Sequence, residues 1–528
     1  MRRIDPLQQT TFIDPFDFLG PKRKELLENG WSGLFRKTLL EQIPVDEIKS
    51  RFHAQIGRPS KELRRMLGFI LLQQMFDLTD ENATRQLAFN TEWHYALNLH
   101  SEEDDAKYVC ERTLRAYRAL MIKLELDRVL FRLLTDTLLD KLNILTGKQR
   151  LDSTHIRSNM RRLSRLELFR KTIEKFLKGM QREHGRLLTK KVDSKLIERY
   201  LGEKRGYFSQ VKPSEAQEGL RQATEDLLVL VETFRKHPKI KKLGPFALLQ
   251  RLLEEQCHVS GEADEAKIEL KNPKEVSSDS MQNPSDPDAG YSGHKGEGYQ
   301  LQVMETYQED PGEEGSAQLN LITYIDVEAA YCSDSEAVGP AIKETKERGC
   351  APDELLADSL YGSDDNVQQA AGEEIELTAP TMGKPQSKEE RLILDDFTVD
   401  EESGEVTACP AGEAPEEIHR GRDGELKIYF DSTSCEACEH RDYCCVGLNA
   451  ETKLDYKPKQ LRLAKRRVVE ESEEFRERYR WRSGIEAVNA KLKQMMGIGR
   501  LRVRGLGKVR LAVTLKVLGW NIFQAARA

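Results

Sequence analysis

The chain lacks what membrane-spanning and secreted proteins need. No apolar run in its 528 residues approaches the roughly 20 residues that cross a bilayer. The longest apolar stretch near the end, Leu511 to Ala526, is broken by Lys516 and Asn521. Behind the positive charges of Met1-Arg2-Arg3-Ile4-Asp5-Pro6 there is no apolar segment, so no secretory signal is expected. The nine cysteines are an odd number without a secretory context. That argues against a disulfide framework and for a reducing, cytoplasmic compartment. No internal repeat is present. What remains, 38% hydrophobic and 32% charged, fits a globular chain of two to four domains with highly charged surfaces.

The net charge of −7 argues against a nucleic-acid partner until its distribution is inspected. His155 to Glu255 carries 24 Lys and Arg against 13 Asp and Glu; Leu461 to Ala528 carries 17 against 6. Each segment is therefore +11, while acids gather at Glu262–Asp288, Glu309–Glu314 and Asp395–Glu417. Two basic segments in an acidic chain suit local phosphate-binding surfaces; solvated helix faces are the plainer reading of either one alone.

The first part reads as helical. Leu63, Met66, Leu67, Ile70, Leu71 and Met75 recur at helical spacing after Gly57-Arg58-Pro59-Ser60, with Ser60 as candidate N-cap. A second helix is expected near Thr79 and a third through Thr113 to Leu142. Helix–turn–helix and a plain bundle are both permitted. Gln149–Ser153 reads as a short strand ended by its acid, Asp152. A basic helical run follows, from Arg161 to about Glu255, and then a loop from Asn272 to Gly298. Tyr299–Glu305 and Leu319–Asp326 read as strands, Ser335–Arg348 as a helix stopped by Gly349 and Glu354–Asp358 as a strand. A helix from Asp364, a strand at Glu374–Leu377 and a charged helix from about Glu470 to Met496 complete the list. The fold class expected is α/β with a mixed sheet.

Asp152 and Asp358 close two of these strands. Carboxylates at neighbouring strand ends converge, and hard divalent cations such as Mg²⁺ or Mn²⁺ require such oxygen donors. Asp326 and Asp334 are rivals for the first position. On the last helix, Tyr479, Arg482, Glu486 and Lys493 stand three, seven and fourteen residues from the first. At about 100° per residue they share one polar stripe roughly 60° wide. Ile485, Val488, Leu492, Met495 and Met496 form the apolar face. A salt-bridged solvent stripe is the alternative. Cys409, Cys435, Cys438 and Cys444 have spacing suited to tetrahedral zinc, with Cys445 or His440 as substitutes, in an acidic stretch poor in large apolar residues. Unligated thiols are the competing reading. Cys110, Cys257, Cys332 and Cys350 read as isolated packed residues, and His155 near Asp152 is weak evidence for a role.

The pattern Tyr479-x2-Arg482-x3-Glu486-x6-Lys493 resembles the signature of bacterial insertion-sequence DDE transposases. Asp152-Ser153-Thr154 is similar to that family's first acid motif, and Asp358 with Tyr361-Gly362 to its second. Gly57-Arg58-Pro59 and the helix after it resemble the start of a cysteine-bearing branch. The resemblance implies an RNase H-like core, 146–160, 290–383 and 470–528, carrying Asp152, Asp358 and Glu486 as catalytic, Mg²⁺-holding acids. It implies that Tyr479, Arg482 and Lys493 bind DNA or orient Glu486. A helical, DNA-binding domain is expected over 1–145, a basic helical insertion and loop over 161–289 and a cysteine-rich insertion over 384–469. The implied activity is metal-dependent strand cleavage and transfer at the element's terminal inverted repeats, by a homodimer on DNA. A catalytically inactive, DNA-binding descendant is the alternative.

Overall fold

The computed structural model describes residues 14–52, 60–202, 213–260, 267–309, 319–383, 391–400, 402–447 and 452–527. Gly57-Arg58-Pro59 lies outside them.

A ten-residue strand, β1 (Lys148–Arg157), is the centre of the molecule. It is twice the length expected, because the alternation continues through Ser153, Thr154, His155 and Ile156. Asp152 is consequently mid-strand rather than terminal. An insertion follows, with helices Arg165–Lys191, Pro213–Phe234 and Gly244–Gln256 and a hairpin of β2 (Cys257–Ser260) and β3 (Lys267–Leu270). Phe169, Phe176, Phe234 and Phe246 give it a hydrophobic core of its own. The hairpin has no sequence signal beyond Val259 and Ile268.

The chain re-enters the sheet with β4 (Gly290–Ser292), β5 (Gly296–Thr306), β6 (Ile322–Ala329), β7 (Glu354–Ala357) and β8 (Glu376–Thr378). The loop expected up to Gly298 thus already contains β4 and the start of β5. The strand order is β4-β5-β1-β7-β8, with β6 also pairing β5. β5 lies antiparallel to β1, whereas β7 lies parallel to it and β8 parallel to β7. The sheet is therefore mixed, and the α/β class expected from the pattern is the one observed.

One face packs helices Val338–Glu347 and Asp364–Gly372 around Leu151, Met304, Leu355 and Tyr361. The other joins the N-terminal helices and the last helix, Leu506–Ala525, in one core. The stretch Thr113–Leu142 is two helices, Glu111–Lys123 and Leu126–Lys141, separated where Glu125 takes φ 50°. The helix Leu63–Met75 is capped by Glu62, which accepts from the Arg64 and Arg65 amides, and not by Ser60. Thr79 caps Asp80–Phe89 as expected. None of the described helices is long and apolar enough to cross a membrane.

The last helix is buried on nearly all sides, so its polar residues need internal partners. Lys516 donates to Asp77 (2.7 Å) and to the Met496 carbonyl (2.6 Å). Asn521 caps the outer edge of β6: its Oδ1 accepts from Ile322 N (2.9 Å) and its Nδ2 donates to Ile322 O (2.8 Å). Asn521→Leu keeps the branched shape of the side chain and orphans both backbone groups. It should cost roughly 2–4 kcal/mol and lower the melting temperature by several degrees. An unchanged melting temperature would show that β6 does not depend on this contact.

Residues 391–470 form a cysteine-bearing module of two small sheets, β9 (Thr398–Val399) with β10 (Val406–Ala408), and β11 (Glu417–Arg420), β12 (Leu426–Tyr429) and β13 (Lys453–Tyr456). The helix Pro458–Glu470 docks it on the sheet domain: Arg462 pairs with Asp364 (2.6 Å) and Arg466 donates to the Gly362 and Ala379 carbonyls. The charged helix expected up to Met496 is broken into Glu473–Tyr479, a 3₁₀ turn Arg480–Ser483 and Gly484–Gln494. The signature residues therefore lie on three successive elements rather than on one continuous helix. Met495, expected on the apolar face, is exposed, while Ile485, Val488, Leu492 and Met496 are buried.

Candidate active site

The parallel register of β1 and β7 pairs Leu151 with Ala357. The residue after each is an acid, Asp152 within β1 and Asp358 just past the end of β7, and both reach the same guanidinium nitrogen of Arg482. β7 ends at Ala357, which leaves the edge of β1 beyond Asp152 open on that side. The helix Gly484–Gln494 packs beside it. At its far end the Arg157 amide donates to the Gly499 carbonyl (3.1 Å).

Arg482 brings the three candidate acids together. Its Nη2 lies 3.1 Å from Asp152 Oδ1 and 3.7 Å from Asp358 Oδ2; its Nη1 lies 2.6 Å from Glu486 Oε1. Asn489, one turn after Glu486, donates to Asp152 Oδ2 (3.0 Å). Asp152 is buried, Asp358 partly so, and Glu486 exposed. Burial raises the Asp152 pKa, Arg482 pulls it down and the charge on Asp358 pushes it up again. For Arg482, burial opposes the charge, and Asp152, Tyr479, Asp358 and Glu486 more than offset it.

A buried ion pair anchors this rim from below. Arg150 donates to Glu305 (2.7 Å), which is entirely enclosed, and its Nη1 donates to the Trp481 carbonyl (2.8 Å) in the 3₁₀ turn. Gly484 admits that guanidinium: a Cβ there would lie 2.0 Å from Arg150 Nη1. In the second motif Tyr361 is fully buried and donates to Gln302 (2.6 Å), and a Cβ on Gly362 would meet the Pro380 carbonyl. Tyr361 and Gly362 are packing residues that set the turn after Asp358.

Tyr479 stacks on Phe475 with ring centroids 5.5 Å apart; burial raises its pKa, Arg482 lowers it and the acids raise it. Lys493 projects further along the open edge. Desolvation lowers its pKa, Asp152 raises it, and Lys295 and Arg157 add repulsion. Lys295 donates to Ser153 (2.9 Å) and pairs with Asp334 (3.0 Å). Asp334, thus engaged, and Asp326, paired with Arg128 (3.1 Å), make no contact with Arg482. Both ring nitrogens of His155 are buried without partners, and burial lowers its pKa.

Arg150, Glu305, Asn489 and Lys295 were not singled out from the sequence. Asn489 had a signal, the i+3 spacing from Glu486. The others depend on strand register and had none.

Cys409, Cys435, Cys444 and Cys445 pack against the module's core of Phe397, Val406, Ile428 and Phe430. Burial raises the Cys435 thiol, as do Cys444, Cys409 and Cys438 nearby. A hydrogen bond between adjacent Cys444 and Cys445 lowers the former to about 6 and raises the latter. Among the described residues, no three His, Cys, Asp or Glu side chains close to metal-ligating geometry.

Two family models match the chain: Transposase DDE domain over residues 408–526 and Transposase domain (DUF772) over residues 32–114. The chain thus carries domains of the transposase class. Together the two matches support an insertion-sequence DDE transposase. The DDE match contains Tyr479, Arg482, Glu486 and Lys493; Asp152 and Asp358 precede it. No curated protein and no solved structure matches.

Because the folded state raises the Asp152 pKa, its contribution to stability is fully present below the unfolded carboxylate value. It is lost as pH rises through the folded one. Asp152→Asn should therefore melt above wild type in chelator at neutral pH, with the gap closing toward about pH 4. A constant gap would contradict a raised pKa.

Proposed function

We propose that this protein cleaves and rejoins DNA strands at the ends of an insertion sequence, with Asp152, Asp358 and Glu486 as its three metal-holding acids. The observation that carries the proposal is their convergence on one guanidinium, from two parallel strands and a helix far apart in the sequence. The core would be the RNase H-like fold that a DDE domain implies.

The donors suit Mg²⁺ or Mn²⁺: all are hard oxygens, and a single cation already draws them to one place. When bound, the metal would activate water or a DNA 3′-hydroxyl and stabilise charge at phosphorus. Asp152 and Asp358 are held on the sheet, whereas Glu486 comes from a helix and is free to adjust. Lys493, near the acids and repelled by Lys295 and Arg157, is placed to accept a backbone phosphate as counter-charge. We assign DNA contact also to Tyr479 and Arg482 and to the helical domain, 1–145, with the basic insertion, 161–289, as a further DNA surface. Two element ends must be held together, which favours a dimer on DNA. Its setting would be the cytoplasm, at the nucleoid.

Glu486→Gln should abolish Mg²⁺-dependent cleavage of DNA carrying the element's flanks while binding persists. Lys493→Ala should weaken binding and flatten the log–log salt slope by about one unit. Cleavage undiminished in Glu486→Gln would remove the assignment of the third acid. Binding without cleavage by folded wild type would favour an inactive descendant.

Cys409, Cys435, Cys438 and Cys444 are the donors we assign to a structural zinc, on the ground of a Cys-x2-Cys pair with two further cysteines nearby in the sequence. Purified protein should hold about one equivalent of zinc per chain. Less than about a tenth of an equivalent would dismiss the site.

A further inference from the structure

We infer that Arg482 is a built-in cation that holds the three acids together in the absence of metal and competes with metal for them. The inference rests on the assignment of Asp152, Asp358 and Glu486 as the metal-holding acids, and it concerns what controls their loading.

The register of β1 and β7 forces Asp152 and Asp358 together, and like charges so placed repel. Among the described residues, Arg482 is the only cation within ion-pair distance of either aspartate or of Glu486. Its Nη2 stands between Asp152 and Asp358, at 3.1 and 3.7 Å. A Mg²⁺ joining those carboxylates would need oxygens at about 2.0–2.1 Å from its own centre. The guanidinium nitrogen and such an ion claim the same space. The acids meet the arginine while falling short of metal-ligating geometry.

Two features bear on how this contact opens. Arg482 lies in the 3₁₀ turn Arg480–Ser483, whose backbone Arg150 holds at the Trp481 carbonyl, so opening is a movement of the Arg482 side chain and not of the turn. Its Nε is buried without a partner, so the side chain is held through its Nη atoms alone. A guanidinium does not deprotonate in a protein, so raising the pH does not release it. While the acids are ionised, an incoming cation at them is what displaces it, after which the freed fork matches a DNA phosphate. Arg482 is in this sense a positioning residue that exchanges one role for another.

The test is Mn²⁺ binding to DNA-free, full-length protein, with free Mn²⁺ followed by electron paramagnetic resonance. Arg482→Ala and the near-isosteric, neutral Arg482→Gln should bind Mn²⁺ roughly five-fold tighter or more. Arg482→Lys, which keeps a charge but not the fork, should lie between them and wild type. In chelator Arg482→Ala should melt below wild type, and saturating Mn²⁺ should close that gap. Should the alanine variant fail to fold without metal, the glutamine variant decides. Equal or weaker Mn²⁺ binding by the neutral variants would overturn the inference. Metal-dependent cleavage by wild type together with that result would leave the transposase reading intact; tighter binding without any cleavage would do the reverse.

Discussion

The site depends on one electrostatic constraint: two carboxylates at adjoining positions of parallel strands. Pairing Leu151 with Ala357 leaves Asp152 and Asp358 no choice of neighbour. Burial raises the cost of ionising Asp152, and the nearby charge of Asp358 adds to it. The rest of the rim answers that cost. Arg482 supplies the compensating charge, Asn489 a hydrogen bond, and Arg150 fixes the turn from which Arg482 projects. Arg150 can do so because Glu305, its cross-strand neighbour on β5, neutralises it and Gly484 leaves it room.

The architecture keeps this rim open. The helical insertion carries its own hydrophobic core and leaves the sheet after β1, returning at β4. The cysteine module likewise has its own core and is tied down by Arg462 and Arg466 on the side of Asp364 and Ala379. Neither module takes its stability from the acid cluster. The last helix does the opposite: it is shared by the N-terminal helices and by β6, so the matched transposase domains at the two ends of the chain meet in a single core. Lys516 sets its distance from Asp77, and Asn521 sets its register on the sheet.

Charge is distributed to match. The acids cluster where strands β1 and β7 part, and Lys493 stands near enough to feel the charge of Asp152, with Lys295 and Arg157 close to it. A polyanion lying here would find Lys493 beside the carboxylates, and Arg482 among them already engaged by all three. This arrangement lets one surface hold both divalent cations and phosphates, which attract each other but need different ligands.

By itself the sequence determined the mixed α/β class of fold, because that rests on hydrophobic period, and it pointed to Asp152, Asp358, Glu486 and Arg482 through their resemblance to a family signature. It also located the helix starts at Leu63 and Asp80 closely. Only the tertiary structure decided that Asp152 lies inside a long strand, that the stretch bearing Tyr479, Arg482, Glu486 and Lys493 is broken by a 3₁₀ turn, and that Glu125 ends a helix in mid-run. It alone brought Asn489, Arg150 and Glu305 to the site. The physical reason is that periodicity reports which face of an element is buried, whereas register and close approach arise between segments hundreds of residues apart. Arg150 and Trp481, separated by 331 positions, touch because β1 and the turn before Glu486 share a wall, and no local pattern carries that information.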